Sequence, residues 1–423
     1  MKLPGFRFCW SALAVAAWLG CSQRPAREHE ATITWLIPVG PDRPLFERVI
    51  AGFEREQPDA HVEPVWVPVG QYQSKLKLLV AAGKPPDLIC TADVWIGPVA
   101  PLLLDLDPLI ARDRAELDLD DIPRPLLDAC RWEGTTRCLP KSFHVSLLYF
   151  NRHLFDRAGE PYPRADWHLD DYRAAAARLT RRGSGKADSV WGSGITAGWW
   201  GEWLALVRAF GGDLFDPAIS RCQLRSAAAR DALAFYRGKI EPPAVAPPPG
   251  FAPDGDFSSG RLAMDFGGHT SLWPVYRRVP DLDWDVVPLP AGPSGSNGAE
   301  LAVDTVAILE RCAHRELAWE LVKRLLSPEA VGEAAKHGSM PVRMSVARAT
   351  VLAPGQTLPP RGAHFAYEAL KTAKTAPRIA AFTELAIDVI QPEIDRILAG
   401  HESVESAAET AADDADALLR TLR

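Results

Sequence analysis

The sequence predicts an α/β fold arranged in more than one lobe, and three observations carry that reading. Between Thr32 and Thr91 short apolar strands alternate with amphipathic helices, the βαβαβ order that builds a parallel sheet covered by helices. The same alternation returns after Ser146, and the segment from Ala363 onward is wholly helical in period. About 400 residues follow the N-terminal segment, more than one hydrophobic core usually serves.

Each element has a local reason. Thr32 to Pro38 (TITWLIP) is a short apolar strand, and Pro44 to Glu56 places Leu45, Phe46, Val49, Ile50 and Phe53 on one helical face. His61 to Val67 alternates as a strand, Tyr72 to Ala82 has helical period, and Asp87 to Thr91 is a third strand. Strands are then expected at Ser146 to Asn151 and Arg261 to Phe266. Helices are expected at Leu169 to Arg181, Glu202 to Phe210, Ser226 to Arg237, Ala313 to Leu326 and Pro328 to His337. Glu241 to Pro253 carries six prolines and must be loop. Cys130 and Cys138 bracket RWEGTTR, whose Glu133-Gly134 reads as a hairpin turn. A disulfide across that hairpin is expected, against the alternative of two unpaired thiols.

The N-terminus sets the compartment. Lys2 and Arg7 precede an apolar run from Phe8 to Leu19, too short to span a bilayer as a helix and fitting a secretory signal over residues 1–20. Gly20-Cys21 resembles the bacterial lipobox, which implies a diacylated Cys21 as the first mature residue and a membrane anchor through that lipid. Trp18 stands where the pattern has Leu, and simple cleavage near Gly20 is the alternative. Either way the mature protein works outside the cytoplasm, on the periplasmic or cell-surface side of a bacterial membrane. Residues 21–30 read as a polar tether.

Composition narrows the classes. The formal charge of −7 becomes more negative once Lys2 and Arg7 leave with the signal, and there is no basic stripe with interleaved aromatics, which argues against nucleic acid. The ten histidines are scattered, with no C-x-x-C and no H-E-x-x-H, so neither a metal nor another cofactor is expected.

Several stretches resemble the family 1 extracellular solute-binding proteins of ABC importers, the sugar-binding, maltose-binding-protein-like group. They are Tyr72 to Leu109 (YQSKLKLLVAAGKPPDLICTADVWIGPVAPLLLDLDPL), Leu139 to Gly159 (LPKSFHVSLLYFNRHLFDRAG), Asp166 to Tyr172 (DWHLDDY), Phe257 to Trp273 (FSSGRLAMDFGGHTSLW), Gly338 to Arg343 (GSMPVR) and Gly400 to Ala408 (GHESVESAA). Their order along the chain is the family's order. The resemblance implies a type II periplasmic-binding-protein clamp of two α/β lobes with three interlobe crossings and a helical C-terminus. Lobe one would hold 31–143 and 268–337, and lobe two 144–267 and 340–423. It further implies a monomer that closes on a small solute by hinge motion and passes it to the transmembrane subunits of an ABC permease.

A sugar ligand needs flat aromatics for its C–H face and carboxylates, amides or guanidinium groups for its hydroxyl rim. Twelve tryptophans of the mature chain could supply platforms. Trp199 and Trp200, before Glu202, lie where the family places a cleft aromatic, and only one of the two is expected to face the cleft. Asp93 and Trp95 follow a strand end, where open α/β sheets bind ligands. Ser142 and His144 precede the second-lobe strand, Gly268 and Trp273 follow the returning one, and Arg343 lies at the third crossing. The bland readings are core for any one Trp, a helix cap for Asp93, a scaffold role for His144 and a structural ion pair for Arg343; Trp203 and Trp319 are assigned to core. Three alternatives stand beside sugar import: the same clamp carrying a glycerol-phosphate-type ligand, the same clamp reporting to a membrane sensor, or an exported glycoside-active enzyme. The last would need two facing carboxylates.

Overall fold

A computed structural model describes residues 31–183, 189–249, 257–355 and 359–422. The signal, the tether and Cys21 lie outside the described residues. Nine strands are described: β1 (Ala31–Pro38), β2 (Ala60–Val67), β3 (Leu88–Ala92), β4 (Arg131–Trp132), β5 (Thr135–Thr136), β6 (Leu139–Asn151), β7 (Met264–His269), β8 (Trp284–Val287) and β9 (Leu301–Ile308).

β2, β1 and β3 pair in parallel, as the βαβαβ pattern requires, and β9 then runs antiparallel between β3 and β6. The 13-residue β6 joins the two halves of the molecule. Its first half, Leu139 to Val145, pairs with β9, while its second half lies between β7 and β8. Sequence pattern located only the second half.

Three apolar clusters hold the layers. One face of the β1–β3 sheet packs Ile33, Trp35 and Leu88 against Phe46 and Phe53 of the Arg43–Glu56 helix and Trp319 of the Arg315–Leu325 helix. The opposite face packs Leu36, Ile89 and Phe143 with Tyr72 and Tyr367. The third cluster gathers Leu148 and Phe150 of β6, Phe266, and Tyr172, Trp203, Leu233 and Ala411 from surrounding helices. Because side chains alternate along a strand, Leu148 and Phe150 face this third cluster while Leu147 and Tyr149 face the second. Asn151 ends β6 and caps the Arg152–Ala158 helix by accepting from Leu154 N at 3.3 Å; Gly159 closes that helix at φ 69°, where a side chain would be strained.

Several expectations shift. β8 and β9 were not foreseen, and β7 begins three residues later than the pattern placed it. The C-terminal segment is helical over His364–Ala369, Phe382–Ile390, Gln391–Leu398 and Val404–Thr421, but Leu370 to Ala381 is not, and Lys374 there bridges to Glu300. Residues 284–299 were placed with lobe one by motif order; β8 pairs with the second half of β6, and Gly298 lies so close to Ala205 O that an added Cβ would sit 1.9 Å from it. The hairpin forms as expected, with Glu133 and Gly134 both at positive φ. Its disulfide does not: Cys130 and Cys138 are buried thiols, Cys130 Sγ donating to Leu126 O at 3.3 Å and Cys138 Sγ to Cys130 O at 3.6 Å. Cys130 thus turns its sulfur back toward the preceding helix, and Cys138 toward the backbone of Cys130.

Candidate functional site

Where β9 meets the first half of β6, one sheet face turns polar. Ser142, His144 and Ser146 alternate onto it from β6, and Asp304 and Glu300 stand opposite on β9 and at its start. Ser142 Oγ donates to Asp304 Oδ2 at 2.8 Å, and His144 Nε2 lies 3.1 Å from the same oxygen. Lys141 Nζ lies 3.4 Å from Asp42 Oδ2 and 3.8 Å from Asp304. Burial opposes ionisation of Asp304, but the charges of Lys141 and His144 and the bonds from His144 and Ser142 outweigh it and hold its carboxyl well below the usual range. Asp304 is thus a fixed anion, and with 34% of its side chain open it remains within reach of a solute.

The row continues toward the other half. His144 Nδ1 lies 3.5 Å from Thr270 Oγ1, just past the end of β7, and His269 Nε2 lies 3.2 Å from Glu300 Oε2. Trp200 Nε1 donates to Glu300 Oε1 at 2.8 Å. Burial would raise Glu300, yet the bond and charge of His269 and the Trp200 bond hold it low. Over Trp200 lies Trp199, centroids 3.6 Å apart and planes 26° from parallel; Trp200 is 2% exposed and Trp199 40%. Trp199 is therefore an open aromatic plate backed by a buried one.

The predicted residues divide sharply. Ser142, His144 and Trp199 belong to this assembly. Trp95 is half-buried and stacks on Tyr72 at 6.5 Å. Asp93 is tucked beneath β9, its Oδ1 accepting from Val303 N at 2.9 Å; burial, with the charges of Glu300 and Asp304, pushes its carboxyl up to about 7.

Five of the candidate positions make internal contacts. Trp200 is an inner support, and Trp273 is buried against Trp284. Glu202 is sealed in an ion pair with Lys239. Arg343 commits its guanidinium to the Leu326, Leu117 and Asp118 carbonyls at 2.6, 2.7 and 3.1 Å, tying three chain segments together. Gly268 lies opposite Leu147, where a Cβ would come 2.7 Å from the Tyr149 ring, so its role there is close packing. Asp42, Lys141, Glu300 and Asp304 were missed, and the sequence reading gave His269 a scaffold role. The signal for Asp304 was present, a single carboxylate inside the apolar run LAVDTVAI.

The sequence profile of the bacterial extracellular solute-binding proteins matches residues 40–332. The chain belongs to that family. Solved structures agree on the fold of this solute-binding protein, the two-lobed type II clamp. An ABC substrate-binding protein from Listeria monocytogenes in complex with cycloalternan superposes with a TM-score of 0.81 at 22% identity, covering 92% of this chain and 99% of that one. Maltose-bound MalE3 of T. maritima gives 0.75 at 22%, covering 92% and 100%. UgpB from Mycobacterium tuberculosis in complex with glycerophosphocholine gives 0.77 at 18%, covering 92% and 99%. No helix among the described residues is long and apolar enough to cross a membrane.

Proposed function

We propose that this solute-binding protein captures a carbohydrate without transforming it, acting as a monomer anchored outside the cytoplasm through lipidated Cys21. It hands the sugar to the permease of an ABC importer. The observation that carries the ligand class is the pairing of an open indole plate, Trp199 on Trp200, with a row of fixed hydrogen-bonding groups at Asp304, Ser142 and His144. A pyranose presents a C–H face that stacks on such a plate and hydroxyls that donate to a carboxylate and accept from an imidazole or hydroxyl.

Mechanistically, the sugar first stacks on the Trp199 half, and closure brings its hydroxyl edge to the Asp304 row. Closure is driven only by the free energy with which ligand favours the closed arrangement. Asp304 needs no proton shift to accept, since Lys141 and His144 already hold it ionised. The phosphate-ligand alternative loses the arginine that would have served it, because Arg343 is committed to three carbonyls.

The test is a thermal-shift screen of the signal-free protein with neutral sugars, polyols and their phosphates, since a ligand that binds only the folded state raises the midpoint. A rise with a neutral sugar class supports the reading. A rise with phosphorylated compounds alone would replace it.

A further inference from the structure

Behind the Trp199 plate lies a buried charge pair that the ligand chemistry does not use. Lys239 Nζ pairs with Glu202 Oε1, and the two side chains are 3% and 1% exposed. Lys239 also faces the rings of Tyr172 and Phe266 at 5.8 and 5.9 Å. An ion pair so enclosed forfeits two hydration shells, and replacing such pairs with apolar residues often costs no stability, so a need of stability alone does not explain its presence.

The second oxygen of Glu202 shows what the pair holds. Oε2 accepts from the backbone N of Thr196 at 2.6 Å, and the carbonyl of the same Thr196 accepts from Tyr236 OH. Thr196 is thus gripped on both sides of its backbone, three residues before Trp199. Further along, Trp200 is tied to Glu300. Between these anchors the chain is exposed at Ala197 and Gly198, with Gly198 at φ 74°. The main chain of Lys239 grips as well, its carbonyl accepting from Val245 N and Ala246 N at 2.8 and 2.9 Å, and Val245 O accepts from Ser193 N at 3.0 Å.

We infer that Lys239 is a positioning residue for the binding plate: it orients Glu202, which fixes Thr196 and thereby the loop that presents Trp199 to ligand. This rests on the reading of Trp199 as the carbohydrate platform. A free glutamate in the first helical turn could swing among rotamers; locked by the ammonium, it offers Oε2 at one place only.

The experiment compares wild type with Lys239→Met, Lys239→Arg and the double variant Lys239→Met/Glu202→Leu, which leaves no orphaned charge and keeps the fold testable. Three readouts are taken: the circular-dichroism couplet of the stacked Trp199–Trp200 indoles, hydrogen exchange at the Thr196 amide, and affinity for maltose as the probe sugar. In Lys239→Met and in the double variant the couplet should fade, Thr196 exchange should accelerate without global unfolding, and maltose should bind about tenfold more weakly. Lys239→Arg should restore all three toward wild type. In a Trp199→Ala background the lysine change should cost no further affinity. A couplet and a Thr196 exchange rate both unchanged in the double variant would overturn the inference. Should wild type ignore maltose, the sugar reading loses support, while the couplet and exchange still decide the role of Lys239.

Discussion

Two lysine–carboxylate pairs sit on either side of the site, and they differ in one respect. Lys239 and Glu202 are sealed, whereas Lys141 and Asp304 are 12% and 34% exposed. In both, burial opposes the charged lysine and the partner's charge wins; Lys239 is pushed up to about 12 and Lys141 stands above the ordinary lysine range. The sealed pair can only organise protein. The open pair keeps a carboxylate partly exposed, already ionised and already oriented. Similar chemistry serves scaffold or site according to whether water reaches one end.

The largest expected effect tests that contrast directly. Lys239→Met strands a buried carboxylate and should lower unfolding free energy by about 3–5 kcal/mol in urea titration. Lys141→Met, whose partners can recruit water, should lose less than half as much; equal losses would erase the distinction.

A second effect separates the acids. Folded Asp93 holds its proton to about 7, while the unfolded chain releases it near 3.8. Its contribution to stability is therefore complete below 3.8 and is lost as pH rises through about 7. Asp93→Asn should remove that decline, gaining at most about 4 kcal/mol on wild type between the two ends. Asp304 runs the other way: held ionised, it stabilises above its unfolded value and loses that contribution as pH falls through its depressed one. Melting curves across pH that slope alike for Asp93→Asn and wild type would refute the assignment.

The two stacked indoles give the third prediction. Trp199→Ala should weaken sugar binding by ~1–3 kcal/mol and leave the melting point nearly unchanged, because the plate is open. The smallest effect belongs to Ser142→Ala. Loss of its bond to Asp304 should lower affinity by ~0.5–1.5 kcal/mol in calorimetric titration, with His144 still holding the carboxylate.

How much of this was legible in the sequence follows from the same physics. The β1–β3 unit could be read because its strands and helices carry clean periods; the Trp199-Trp200 pair stood out in its Gly-flanked loop, but which of the two is exposed was left open. β9 escaped because LAVDTVAI is mostly buried on both faces, so it lacks the alternation of a half-exposed strand. Asp304 and Glu300 vanished with it. Arg343 was named for its place at the third crossing, Trp273 for following the returning strand, and Glu202 for its place beside the Trp199-Trp200 pair. Where their side chains point is decided by partners far away in sequence, such as Leu117, Trp284 and Lys239. The Cys130–Cys138 hairpin was readable from spacing; the rotamers that turn each sulfur toward a carbonyl were not.

The central claim is that an open indole and a preset carboxylate row together take a sugar. A calorimetric titration of the signal-free protein and its Trp199→Ala and Asp304→Asn variants, with the sugar that gives the strongest thermal shift, tests it most directly. Binding by wild type that weakens in both variants, with their folds intact, is the predicted result. Sugar binding at wild-type strength in both variants would place the ligand elsewhere and contradict the account.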